Sequence, residues 1–448
     1  MSKIITGPTF RNALTQFLTP QVFKQAHQAA PPKQKQPRWP LHTLVWVLLS
    51  ISWCAGESQE ERFATAQAVY VACHQRSRRP GETLAGFLKA LARLPLPALR
   101  ALSRGVRDQI GRQLLDSLRV NGWALFACDG TRSECPRSAE LQQRLGEAGK
   151  SDSAPMAYIT TLVLLPAGLL WSWALGKGTA NELNHLRRLL GTLPTRALIV
   201  ADAFYLGYDL FTAIMQARAS FLVRLSSRVC LYTLTQLPLE QFREGLVYYW
   251  PKEYRDRSLP PLLLRLLRVR GRKADVWLLT DVLDRQQISH RLAGQIYRWR
   301  WRNEGLFRTY KRMLRKVKLE SRTVALVHRE LEGSLLALQL LLAVSAQAVQ
   351  RGGEMIVIQE SPRRVLLRIR GDMAAGLRTL GPRQFARYQR MLAEVRTGER
   401  ERTSSKTRQD WPRRKKHKPP KPPKIRVMDE TLKAKLVKVL HAKYAVTC

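Results

Sequence analysis

The stretch from Gly122 to Thr131 reads GWALFACDGT, a short apolar run that stops at an acid. Two further apolar runs follow, Ala157 to Leu165 and Leu169 to Leu175, joined by Pro166-Ala167-Gly168. Apolar runs of this length bounded by turn formers read as strands, and the second pair reads as a hairpin. Downstream, Asn181 to Leu190 has helical spacing, ALIVA at Ala197 to Ala201 ends in Asp202, Gly207 to Ala217 is amphipathic, and Phe221 to Leu225 is apolar again. Strands followed by helix, strand, helix and strand predict an α/β fold with a mixed sheet and helices packed on it. Charged side chains in such folds collect at strand ends, which is where this reading places Asp129 and Asp202.

Around this core the chain changes character twice. Residues 1–115 read as helical, with amphipathic runs at Glu60 to Cys73 and Gly81 to Leu94 and a basic Pro-containing linker at Pro31 to Pro40. Between about 226 and 281 come short strand-like runs, Gly245 to Trp250, Leu262 to Val269 and Asp275 to Thr280, broken by Pro260-Pro261 and Gly271. They predict a β-rich insertion without a helix. Ile288 to about Val317 is strongly helical and basic, and Leu331 to Val349 reads as an apolar helix. The predicted organisation is an N-terminal helical region at 1–115, a core domain at 120–345 interrupted by the insertion at 226–281, and a basic C-terminal region at 350–448. Within the last, the Pro-Lys tract at 412–424 cannot pack a core and reads as a solvated tail able to grip phosphates without sequence preference.

Composition narrows the partners. The chain has 448 residues, 76 Lys plus Arg against 34 Asp plus Glu, and a formal charge of +42, while 45% of its residues are apolar. This is a globular protein that carries a polycation's charge, and such a surface calls for a polyanion, above all nucleic acid. Six cysteines lie scattered without a C-x-x-C pair, which argues against a disulfide framework or a structural zinc site and suits a reducing cytosol. No apolar leader opens the sequence, and the longest uncharged stretch, Leu41 to Gly56, is too short for a membrane span and reads as a core helix. A membrane-surface role is disfavoured because no amphipathic run pairs a clean apolar face with a wholly basic one. The expected location is cytoplasmic.

The chemistry is expected from three acids. At 3.6 residues per turn, Tyr297, Arg300, Glu304 and Lys311 share one helix face, and a lone carboxylate among Arg300, Arg308 and Lys311 is poorly explained as a solvated surface. The plainer alternative is a set of ion pairs between Glu304 and the arginines one turn away. Asp129 alone is a weak signal, since Asp before Gly is commonly a turn former. Asp129, Asp202 and Glu304 together would supply the hard carboxylate ligands that phosphoryl transfer by two divalent ions requires.

The spacing Tyr-x2-Arg-x3-Glu-x6-Lys, met here by Tyr297, Arg300, Glu304 and Lys311, resembles the signature of the prokaryotic insertion-sequence DDE transposases. The order of the other segments over about residues 120–345 resembles that family as well. The resemblance implies a ribonuclease-H-like catalytic core, Mg²⁺ or Mn²⁺ held as two ions by Asp129, Asp202 and Glu304, and cut-and-paste movement of a DNA segment. It also implies contacts from Tyr297, Arg300, Arg308 and Lys311 to double-stranded DNA, both the terminal inverted repeats and the target. A homodimer in a synaptic complex at the prokaryotic nucleoid is implied too, with the N-terminal helices serving end binding or dimer contacts. Trp277, in Val276-Trp277-Leu278, approximately matches a family tryptophan that stacks on a flipped base, the alternative being a core tryptophan in a strand. Two departures stand out: Ala203-Phe204-Tyr205 after Asp202 in place of a polar, Gly-containing turn, and Gly305 after Glu304, which weakens a helix by about 1 kcal/mol relative to Ala. Rival expectations are a structure-selective nuclease with the same core and a catalytically defective DNA-binding relative.

Overall fold

A computed structural model describes residues 14–30, 38–74, 79–146, 153–237, 241–271, 274–351, 353–397 and 422–445. Apart from its last three residues, the Pro-Lys tract lies outside them. The strands are β1 (Ala124–Glu134), β2 (Met156–Leu165), β3 (Leu169–Lys177), β4 (Ala197–Ala201), β5 (Ser220–Arg224), β6 (Cys230–Thr233), β7 (Glu244–Tyr249), β8 (Leu262–Val269), β9 (Val276–Thr280), β10 (Ala346–Arg351), β11 (Glu354–Gln359) and β12 (Lys424–Val427).

Among the described residues, ten of these form one sheet in the order β12-β6-β7-β8-β9-β5-β4-β1-β2-β3. β2 pairs antiparallel with both β1 and β3, whereas β1, β4 and β5 are mutually parallel, as strands joined through helical crossovers must be. β9 closes antiparallel on β5, and β8, β7 and β6 extend the sheet as a meander to which β12 adds in parallel. The insertion therefore lengthens the core sheet instead of standing apart from it. It also contains one short helix, Lys252–Asp256, in a stretch without helical spacing; Pro251 fixes its first turn, which is closed by Tyr254 N–H bonding to the Pro251 carbonyl.

Two corrections concern the reading of β1 and of the basic helix. β1 does not end at Cys128. Its ladder with β2 runs from Leu125 opposite Leu165 to Glu134 opposite Met156, so Asp129 lies mid-strand. What stops near Asp129 is the parallel pairing with β4, whose last partners are Ala127 and Val200. Asp202, by contrast, does come directly after β4.

The segment 288–317 is not one helix but three pieces: His290–Trp299, Arg302–Arg308 and a π-helical turn at Thr309–Met313. The break at Arg300 and Trp301 has a packing cause. Ile296 and Tyr297 bury on one side of the sheet with Leu125, Ala127, Leu198, Val200 and Leu222, whereas Leu306 and Tyr310 bury in the larger core that holds Phe126 and Cys128. A straight helix cannot serve both. Tyr297, Arg300, Glu304 and Lys311 consequently do not share one continuous face.

The axle of the larger core is the Val324–Ser345 helix, capped by Thr323 and buried on nearly every side. The Leu41–Trp53 and Leu96–Leu114 helices pack on it from the N-terminal region, and β3 packs on it from the sheet. Leu41–Trp53 is buried almost throughout, in keeping with a core helix. None of the described helices is long and apolar enough to cross a membrane. The apolar run was expected to stay helical to Val349, but from Ala346 the chain pairs with β11 instead. The Lys316 ammonium, buried beside this axle, donates to Glu330 at 2.7 Å and so ties the end of the basic segment to the core.

Candidate active site

Register builds the site. Partners across a parallel ladder point to the same side, and successive residues along a strand alternate sides. Ala127 pairs with Val200 and Ala201 with Val223; two residues on from the first pair and one on from the second, Asp129, Asp202 and Arg224 fall in one row across β1, β4 and β5. Leu125, Ala127, Leu198, Val200 and Leu222 precede them on the face against which Ile296 and Tyr297 pack. The two acids and the arginine therefore open toward the helix that carries the first half of the signature.

Each acid is tied down locally. Asp129 Oδ1 accepts the N–H of Gly130 at 2.8 Å, and Asp202 Oδ1 accepts the N–H of Phe204 at 2.8 Å, capping the turn Ala203–Tyr205 that comes after β4. Burial raises the Asp129 carboxyl to about 6, and the negative charges of Glu182 and Asp202 push the same way against the Gly130 N–H and the Arg300 cation. An acid so placed is short of positive charge. Facing it, the Arg300 guanidinium lies over the Tyr297 ring at 5.5 Å and the Trp301 ring at 5.1 Å. Tyr297 is buried against Arg300, whose side chain its hydroxyl meets, while the Arg300 Nε and the Arg224 Nε lack a hydrogen-bond partner. Two buried guanidinium nitrogens on one face thus await a ligand with acceptor oxygens.

The remaining predicted residues are spread more widely. Glu304 is exposed, and it is not among the charges that act on Asp129. Arg308 is exposed as well, and Lys311 is half-buried, its ammonium pKa lowered by that burial. Among the described residues no three His, Cys, Asp or Glu side chains come close enough together to hold a metal ion, so Asp129 and Asp202 are brought together and Glu304 is not. Trp277 is only 6% exposed, stacked on Phe242 at 5.6 Å with Arg268 over its ring at 5.5 Å. In this conformation it is a core tryptophan, and the open aromatic rings near the acids are those of Phe204 and Trp301.

The reverse side of β1 holds what sequence reading missed. The Glu182 carboxylate, buried at the start of the Glu182–Leu189 helix, accepts hydrogen bonds from the hydroxyls of both Tyr158 and Tyr205. The Cys128 thiol donates to Tyr205 Oη at 3.3 Å, and burial holds that thiol well above its usual pKa, which keeps it protonated. A Cβ at position 130 would lie 2.5 Å from Tyr158 Oη and 2.6 Å from Glu182 Oε1. Gly130 is thus not a turn former; it leaves room for a carboxylate behind the strand whose front carries Asp129. Behind Asn181, which caps the helix by accepting the Leu183 N–H, an acid in the first turn reads as an ordinary helix-dipole partner. Arg224 was likewise unmarked, since its place in the row depends on register.

Further support from β8 fixes the launch of the helix. The Arg265 guanidinium, 2% exposed, donates to the carbonyls of Val282, Asp284 and Ile288, clamping the connection that leads into His290–Trp299.

A sheet that sets two aspartates abreast beneath an arginine-bearing helix is a frame for handling phosphoryl groups. Residues 124–340 match the family model described as Transposase DDE domain. By structure the chain is similar to piggyBac transposase, solved by cryo-electron microscopy as a synaptic complex with hairpin DNA, at 12% identity and a TM-score of 0.39, covering 87% of this chain and 86% of that one. A likeness so distant says nothing about activity. Among curated proteins none matches the chain.

Proposed function

We propose that this protein is a cut-and-paste DNA transposase that cleaves at the ends of a mobile DNA segment and transfers the freed 3′-OH into target DNA. The observation that carries the reading is the row Asp129, Asp202 and Arg224 within the matched transposase region. The order β3-β2-β1-β4-β5, antiparallel in its first three strands and parallel in its last three, supports a ribonuclease-H-like core. The charge of +42 supports duplex DNA as the partner, both inverted repeats and target.

The donor set fits a divalent cation at the Asp pair, because a carboxyl raised first by burial and then by the charges of Glu182 and Asp202 is stabilised in its ionised form by added positive charge. Asp129 and Asp202 would hold it, with Glu304 as the third acid on its place in the signature. Mg²⁺ or Mn²⁺, as two ions, would supply an activated water and charge relief at the leaving oxygen. Arg300 and Arg224 have free donors for phosphate oxygens and so orient the backbone for in-line attack, with Tyr297 packed against Arg300. Lys311 and Arg308 add positive charge further along. Two copies of the chain would hold paired ends in a synaptic complex, in the cytoplasm at the nucleoid of a prokaryotic host.

The test is incubation of the purified protein with Mg²⁺ and a labelled duplex carrying the inverted repeats that flank its own gene, with Glu304→Ala in parallel. Cleavage at the repeat boundary and then joined products, both lost in the variant, are the expected result. Nicking without joining would replace the proposal by a nuclease, and binding without metal-dependent cleavage by a defective relative.

A further inference from the structure

A second concentration of charge lies away from the acids, where the C-terminal region meets the N-terminal helices. The Pro382–Thr397 helix packs on the Gln59–Cys73 helix, and between them a cavity of about 510 Å³ is lined by Arg79, Glu82, Arg383, Arg387, Tyr388 and Arg390 among others. Arg383, Arg387 and Arg390 recur at intervals of four and three, which puts three guanidinium groups on one helix face. Like charges at that spacing destabilise a helix unless something opposite covers them.

The cover within the chain is incomplete. Arg387 forms an ion pair with Glu82, the one acid lining the cavity. Arg79, Arg383 and Arg390 are exposed, without an ion pair among the described residues. Arg387 is half-buried, and its pKa is lowered first by burial and then by the cations of Arg79, Arg390 and Arg38. Four arginines thus crowd one carboxylate in a concave site. Tyr388 holds the helix in place through the Thr65 hydroxyl at 3.3 Å, and Phe385, one turn before Tyr388 on the same helix, leaves its ring 42% exposed. Guanidinium forks gathered in a concave site suit phosphate oxygens, whereas a plain solvated surface has no use for the concavity.

We propose that this cavity is a phosphate-binding site that grips the DNA backbone outside the catalytic centre. The anion chemistry stands on these residues alone; that the phosphates belong to DNA rests on the function proposed above. None of the catalytic acids or signature residues lines the cavity, so the grip and the chemistry can be separated experimentally.

The experiment measures binding of the full chain to a fluorescent duplex of unrelated sequence by anisotropy, over a salt series and without divalent ions. Wild type is compared with the double variant Arg383→Ala/Arg390→Ala. Both arginines are exposed, and a melting curve for the variant confirms folding. The expected result is a Kd raised about tenfold in the double variant. The slope of log K against log salt should become shallower by about two, at roughly 0.9 for each phosphate no longer neutralised. A parallel calorimetric titration with pyrophosphate distinguishes the sources. Pyrophosphate binding that depends on the two arginines, with duplex binding unchanged, would overturn DNA as the occupant in favour of a free phosphate compound. Unchanged affinity and slope with no pyrophosphate binding would overturn the site altogether. Arginine-dependent duplex binding by a protein that never cleaves would leave this site standing and remove the proposed catalytic function.

Discussion

The two sides of β1 are built from similar residues and do opposite things. On one side Asp129 stands in a row with Asp202 and Arg224 under Tyr297 and Arg300, and two buried guanidinium nitrogens there have no partner. On the other, the Glu182 carboxylate is saturated by two tyrosine hydroxyls and packed against Gly130. A satisfied buried polar cluster fixes the strand, whereas an unsatisfied one costs stability and is retained where a ligand completes it. The difference separates framework from chemistry across the thickness of a single strand.

Exchanging one acid on each side probes that separation with the greatest leverage. Asp202→Asn should abolish metal-dependent cleavage while leaving the melting temperature within a few degrees of wild type. Glu182→Ala should cost about 2–5 kcal/mol of stability by stranding two buried tyrosine hydroxyls, measurable by urea denaturation. Were the stability loss to accompany Asp202→Asn and the clean loss of activity to accompany Glu182→Ala, the roles of the two sides would be reversed.

Next in size is a pH effect in metal-free protein. The Asp129 carboxyl, raised from 3.8 to about 6, holds its proton in the folded state over a range in which the unfolded chain has released it. Stability should therefore fall as pH rises from about 4 to about 6, by roughly 3 kcal/mol at 1.36 kcal/mol per unit. Asp129→Asn should flatten that part of the profile, and Glu182→Gln, which removes one of the charges raising Asp129, should reduce it. Chemical denaturation at stepped pH provides the comparison; an unchanged profile in Asp129→Asn would place the titrating group elsewhere.

A smaller effect concerns the rear side alone. Gly130→Ala should cost about 1–3 kcal/mol by overpacking, and combining it with Tyr158→Phe, which removes the nearest oxygen, should recover part of the loss. Full additivity of the two changes in a double-mutant cycle would mean that Gly130 and Tyr158 do not meet.

Periodicity made part of this arrangement legible in the sequence. The apolar runs at Trp123 to Cys128 and Ala197 to Ala201 are strands whose alternation is local, so two acids adjoining them could be read before their partners were known. Arg224 and Glu182 could not, because one takes its place from register across three strands and the other from a helix folded behind the sheet. The helical spacing of Tyr297 through Lys311 was read correctly as helix-forming, yet the two halves bury in different cores, and no local pattern announces that break. Trp277 was ambiguous for the same reason: a tryptophan in a strand reads alike whether it faces Phe242 or an open groove.

Whether the front of β1, and not its back, receives the divalent ion is decided by calorimetric titration of Mn²⁺ into the full chain without DNA. Asp129→Asn and Asp202→Asn should each abolish binding, and Glu182→Gln should retain it. Mn²⁺ binding that survives in the Asp129→Asn/Asp202→Asn double variant would contradict a metal site on the front.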